Sequence, residues 1–125
     1  MDFRKQFRIE PDSKLRLKEI DTDFVGKYDK KNALDEQTDA VDRLRKLQYL
    51  MYAEGKRSLL VVLQAMDAGG KDGTINHVIS AMNPQGCRVV GFKQPSAEEA
   101  AHDFLWRIHK AVPRKGEVVV FNRSH

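Results

Sequence analysis

The chain has 125 residues, 41% of them hydrophobic and 32% charged, with a net charge of +4 and a single cysteine. That length suits one domain around one core, and the apolar fraction argues against disorder because enough surface can be buried to offset the entropy of ordering. The basic excess is mild and contains no dense Lys/Arg run, which speaks against a nucleic-acid groove, and the lone Cys87 excludes an intrachain disulfide and fits a reducing compartment.

Residues 1–34 mix both charge signs around scattered apolar residues (Phe3, Phe7, Leu15, Leu17, Phe24) and read as an arm packed on the domain. No apolar leader follows Met1 to Arg8 and no apolar run is long enough to cross a bilayer, so the expected location is cytoplasmic, without a membrane partner. From Asp35 to Glu54 the pattern is helical, with Ala40, Val41, Leu44, Leu47, Leu50 and Met51 marking one face and Gly55 as the stop. Leu59 to Leu63 reads as a strand buried on both faces of a parallel sheet. Gly69 and Gly70 then turn the chain, and Lys71 opens a second helical pattern (Ile75, Val78, Ile79, Met82) that Asn83 and Pro84 end. Residues 86–92, GCRVVGF, read as a second strand, with a buried, inert Cys87 thiol. Ser96 and Glu99 form a capping box that starts a helix expected to carry Ala101, Phe104, Leu105, Ile108 and Val112 inward. Val118 to Phe121 is the third strand.

Strands alternating with helices over short connections predict βαβ units, hence a three-layer α/β/α domain with a parallel sheet over residues 35–125. Ligands in such sheets sit at the carboxyl ends of the strands, so Asp67 to Lys71, Phe92 to Gln94, and Asn122 to Arg123 should converge. Strand, glycine turn, lysine and helix is also the order of elements in a phosphate-binding loop. The full pattern is G-x-x-x-x-G-K followed by Ser or Thr. Here Gly70 and Lys71 fit, but Ala65 replaces the first glycine and Asp72 the hydroxyl. The context still aims backbone N–H groups and the positive helix end at phosphate.

Phosphoryl transfer asks a protein mainly for positioning and charge neutralisation. Lys71 and Arg123 suit that demand, and Lys93 sits at the expected end of the second strand. With the hydroxyl lost, Asp67 is the candidate metal ligand, a hard oxygen just before the glycines. Asp72 suits a surface carboxylate at a helix start better. His102 and His109 have no acidic or cysteine partners at metal spacing and receive no ligand role. Phe104 and Trp106 read as core or interface.

DAGGKDGT, in the stretch from Leu63 to His125, and FNRSH at its end, in this order and spacing, resemble the type 2 polyphosphate kinase family, especially its polyphosphate:nucleotide phosphotransferase branch. The resemblance runs from about Asp35 to the end. It implies a P-loop kinase-like fold and Mg²⁺-dependent transfer of a terminal phosphate between inorganic polyphosphate and a nucleoside mono- or diphosphate, adenine or guanine. Asp67, Lys71 and Arg123 carry over as motif residues. With the position of Lys93 added, the expected phosphate-binding set is Ala68, Gly69, Gly70, Lys71, Asp72, Gly73 and Thr74 with Lys93 and Asn122. Many relatives have Asp where Asn122 stands, so this amide would orient phosphate rather than hold metal. The resemblance also implies homo-oligomers and no general base, because the acceptor is already an ionised phosphate.

In the family the second motif continues past His125 and a Lys/Arg-rich helical lid follows. The expectation is therefore a first part of the kinase domain, without the lid module, that binds phosphate but transfers it poorly or not at all. Two other readings stay open: an ATP-dependent small-molecule kinase of the same fold, and a non-catalytic phosphate-binding fragment.

Overall fold

Val118, Val119, Val120 and Phe121 are 0–1% exposed, and the rest of the α/β unit is arranged around them. The computed structural model describes residues 3–125; Met1 and Asp2, at the head of the stretch read for a leader, lie outside the described residues. The chain divides into two compact units, Met1–Thr38 and Asp39–His125.

The first unit holds a short helix α1 (Phe3–Phe7), a 3-10 turn (Leu17–Glu19) and the start of the long helix α2 (Lys30–Glu54). Phe7 and Phe24 meet edge to face at 6.1 Å. None of its described side chains is fully buried. Helix α2 begins before the expected Asp35 because Asp29 and Asn32 cap it reciprocally, each backbone N–H donating to the other's side-chain oxygen at 2.9 Å. Gly55, at φ +63°, ends it as expected.

The second unit is a parallel sheet of β1 (Leu59–Leu63), β2 (Cys87–Gly91) and β3 (Val118–Asn122) in the order β1-β3-β2. The chain passes from β1 over the central position to β2, then returns to fill it with β3. Crossovers of one hand running in opposite directions put their helices on opposite faces. Accordingly α3 (Lys71–His77) and the 3-10 turn Ile79–Ala81 bring Ile75, Val78 and Ile79 onto Val118 and Val120, with Leu44 and Met51 of α2. On the other face α5 (Trp106–Ala111) brings Ile108 and Ala111 onto Val119, Phe121 and Phe92. Helices therefore cover both faces of a parallel sheet, the P-loop kinase-like architecture.

Three packing expectations are corrected. β1 is an edge strand, and Leu60 (39% exposed) and Val62 (47%) are uncovered on the α5 face. Its apolar run does not mean burial on both sides, because α5 spans only β2 and β3. On α2 the packed stripe is Val41, Leu44, Gln48 and Met51; Leu47 and Leu50 are each 62% exposed. The helix expected after Ser96 is broken in two. The capping box forms, Glu99 N–H donating to Ser96 Oγ at 3.2 Å, but α4 (Ala97–Ala100) stops, and in the turn before α5 the Asp103 carboxylate accepts from the N–H of Leu105 at 2.9 Å. Short polar side chains compete with helix in this way. Phe104 (63% exposed) and Val112 (44%) consequently do not point inward. Helix α3 also ends early, at His77, and continues as the 3-10 turn.

Arg88 ties the second unit together, its Nε 2.8 Å from Glu117 Oε1 and its Nη2 donating to the Ala111 carbonyl at 2.8 Å. The backbone N–H of Arg114, then the Arg88 side chain, hold the Glu117 carboxyl below its ordinary value of 4.5, against an opposing effect of burial. A depressed folded pKa adds stability above the unfolded value and loses it as pH falls through the folded one. Denaturation midpoints should therefore drop below about pH 4.5. Glu117→Gln should flatten that part of the profile. Burial, then the Glu117 charge, push the Cys87 thiol up, which disfavours its reactive thiolate. Among the described residues no helix is long and apolar enough to cross a membrane.

Candidate phosphate-binding site

The three strands end together, and the loops leaving them enclose a cavity of about 630 Å³ lined by residues 67–73, 91–94 and 122–123. The segments expected to converge are thus brought together. The loop after β1 is shaped by backbone sterics. Gly70 is left-handed at φ +79°, as is Ala68 at +61°. A Cβ on Gly69 would lie 2.7 Å from Ala65 Cβ and 2.9 Å from the Met66 carbonyl, so no side chain fits there without moving the loop. Gly70 is the N-cap of α3 and has no side chain to satisfy the first-turn N–H groups, which leaves donors facing the cavity.

Lys71 is half-buried and folds over its own loop, Nζ donating to the carbonyls of Ala65 at 2.8 Å and Met66 at 2.9 Å. An ammonium has three N–H bonds, so one stays available. Across the cavity Arg123 is held by its backbone N–H on the Leu63 carbonyl at 3.0 Å. Its φ of +72° is unusual for a side chain of that size. Its Nη2 lies 3.2 Å from Asp67 Oδ1. Both side chains are largely exposed, 54% and 95%, so this pair orients the groups more than it stabilises the fold. Asn122 Nδ2 donates to Asp72 Oδ1 at 2.9 Å, and its Oδ1 is buried without a hydrogen-bond partner. The lining carries Lys71, Lys93 and Arg123 against Asp67 and Asp72, a cationic balance.

Ala68 to Gly73, Lys93 and Asn122 all line the cavity, whereas Thr74 does not; its hydroxyl donates back to the Gly70 carbonyl at 3.1 Å within α3. Sequence reasoning passed over Arg107. Its Nη1 donates to the Lys93 carbonyl at 2.8 Å and its guanidinium lies 5.3 Å from the Phe92 ring centroid, fixing the β2 wall of the cavity. It sits on α5, and nothing in its own neighbourhood signals that role. His102 stacks on Trp106 at 4.0 Å and lies outside the site. Among the described residues no group of three or more His, Cys, Asp or Glu converges to hold a metal ion.

The family model for Polyphosphate kinase 2 (PPK2) matches residues 27–125. The chain belongs to the polyphosphate kinase 2 family. It is 52% identical over 123 residues to the AMP/ADP-polyphosphate phosphotransferase of Meiothermus ruber, covering 97% of this chain and 46% of that one. It is 47% identical over 122 residues to the ADP-polyphosphate phosphotransferase of Rhodopseudomonas palustris, covering 97% of this chain and 42% of that protein. The crystal structure of polyphosphate kinase 2 from Arthrobacter aurescens TC1 superposes with a TM-score of 0.87 at 40% identity, over 96% of this chain and 44% of that one. The chain therefore spans less than half the length of these polyphosphate kinase 2 relatives.

Proposed function

We propose that this cavity binds the phosphates of a polyphosphate-dependent nucleotide phosphotransferase, which moves a terminal phosphate between inorganic polyphosphate and a nucleoside mono- or diphosphate. The observation that carries the reading is that Lys71 and Arg123 line one cavity with the glycine loop, at the carboxyl ends of a parallel sheet. Two relatives are named for AMP, ADP and polyphosphate, which supports the substrate class.

In this reading Lys71, Arg123 and the N–H groups of Ala68 and of Gly70 to Gly73 neutralise and align the transferring phosphate, with Lys93 also lining the cavity; the Gly69 N–H is held by the Met66 carbonyl at 3.1 Å. Of the three described non-glycine residues at positive φ, Ala68 and Arg123 line this cavity, and such strain is retained at functional sites. The acceptor phosphate is ionised already, so no general base is needed. Asp67 would hold a magnesium ion. Magnesium is satisfied by one or two carboxylates plus phosphate oxygens and water, so an exposed single carboxylate fits it. Bound there, it would neutralise developing charge on the phosphate oxygens. Asn122, an amide with an unpartnered Oδ1, orients the site and supplies no anionic ligand.

Calorimetric titration with polyphosphate tests this reading. Binding should be saturable and strengthened by Mg²⁺, and Asp67→Asn should remove the Mg²⁺ enhancement while leaving metal-free binding intact. Equal affinity with and without Mg²⁺ would remove Asp67 as its ligand.

A further inference from the structure

The Arg107 side chain on α5 is only 14% exposed, and a guanidinium that has lost so much hydration needs partners to offset the cost. Its partners lie in the stretch from Phe92 to Glu99. Nη1 donates to the Lys93 carbonyl at 2.8 Å and lies 3.7 Å from Glu99 Oε2, while the guanidinium sits 5.3 Å from the centroid of the Phe92 ring. Glu99 Oε2 in turn accepts from the Ser96 N–H at 2.8 Å, and the Phe92 N–H donates to the Asn122 carbonyl at 3.1 Å. The segment between β2 and α4 is thus pinned at both ends, with Arg107 holding its middle.

Phe92, Lys93 and Gln94 of that segment line the cavity, and Arg107 does not. A lysine on a loose loop gives up backbone freedom when it meets an anion, and a backbone fixed beforehand lowers that cost. Resting on the phosphate-binding reading of the cavity, we infer that Arg107 is a positioning residue that strengthens polyphosphate binding through Lys93, with Glu99 as its second anchor. The planar fork of an arginine suits the role, because one arm reaches a carbonyl while the group lies against an aromatic ring. Lysine carries the same charge but ends one bond short of the Nη atoms.

Calorimetric titration with polyphosphate of Arg107→Lys, Lys93→Ala and the double variant tests this. Each single change should weaken binding by about fivefold, the upper range for one exposed charge contact. The double variant should bind no more weakly than Lys93→Ala, because residues that act as one unit are not additive. The charge at position 107 is unchanged, so a lost electrostatic field does not account for the effect. Amide exchange at residues 93–96 should quicken in Arg107→Lys, and also in the isosteric Glu99→Gln, which keeps this readout open if Arg107→Lys melts early. Losses that multiply in the double variant overturn the inference, as does a loss in Arg107→Lys alone or unchanged exchange in both loop variants. Lys71→Ala separates the inference from the reading beneath it. Polyphosphate binding that is absent from the unmodified chain, or undiminished by Lys71→Ala, removes both; binding that needs Lys71 but ignores Arg107→Lys removes the inference alone.

Discussion

Under the proposed function, replacing Lys71 with alanine in a longer form of the protein that carries the expected lid should lower polyphosphate-dependent nucleotide phosphorylation by about 10²–10³-fold, the scale for losing one preorganised group that stabilises developing charge. The reason is geometric. The half-buried ammonium is anchored on the Ala65 and Met66 carbonyls at 2.8 and 2.9 Å, so its remaining N–H is aimed before any ligand arrives. Nucleoside triphosphate formed from polyphosphate and a nucleoside diphosphate is the readout, beside polyphosphate affinity by calorimetry. The same substitution removes two loop hydrogen bonds, together about 1–3 kcal/mol, so a thermal melt must accompany the assay. Unchanged turnover in a folded variant would take the loop out of the mechanism.

Phe121→Ala should destabilise the second unit by about 3–5 kcal/mol, the range for truncating a buried aromatic side chain. Phe121 is 1% exposed and meets Phe92 edge to face at 4.7 Å. Its loss leaves a void between the central strand and α5 that neighbours on a rigid sheet cannot fill. Small domains are stable by only about 5–15 kcal/mol, so this one change consumes a large part of the margin. Phe121→Leu keeps most of the volume and should cost under about 1.5 kcal/mol. Denaturant midpoints at constant m-value give both numbers. The alanine variant should also weaken polyphosphate binding, because Asn122 and Arg123 follow Phe121 directly.

The strands were legible because each is a short apolar run bounded by turns, and the capping box at Ser96 because it is a contact between neighbours in sequence. What sequence periodicity misjudged was how much of each apolar face is covered. Leu47 and Leu50 fit the helical repeat as well as Leu44 does, and Leu60 and Val62 look like any buried strand. Nothing local distinguishes them, because coverage depends on which element lies across the sheet. The break at Asp103 was missed for a different reason. Its carboxylate competes with helix in its own turn, a small local preference set against a convincing apolar pattern.

The candidate site divides in the same way. DAGGKDGT and FNRSH could be read from residue types and order, since a glycine turn followed by lysine carries its chemistry locally. That Arg123 faces Asp67, that Asn122 meets Asp72, and that Arg107 holds the Lys93 backbone could not.

The sequence by itself determined the strands, the phosphate-loop order and the family resemblance, because these rest on local periodicity and on short motifs. Tertiary structure alone decided that the last strand lies at the centre of the sheet. The reason is that β3 enters between β1 and β2 only after both crossovers are made. That central placement buries Val118 to Phe121 and delivers Asn122 and Arg123 beside the glycine loop, some fifty residues away in the chain. Strand order is fixed by crossover direction and by burial on both faces, neither of which any single stretch of residues contains.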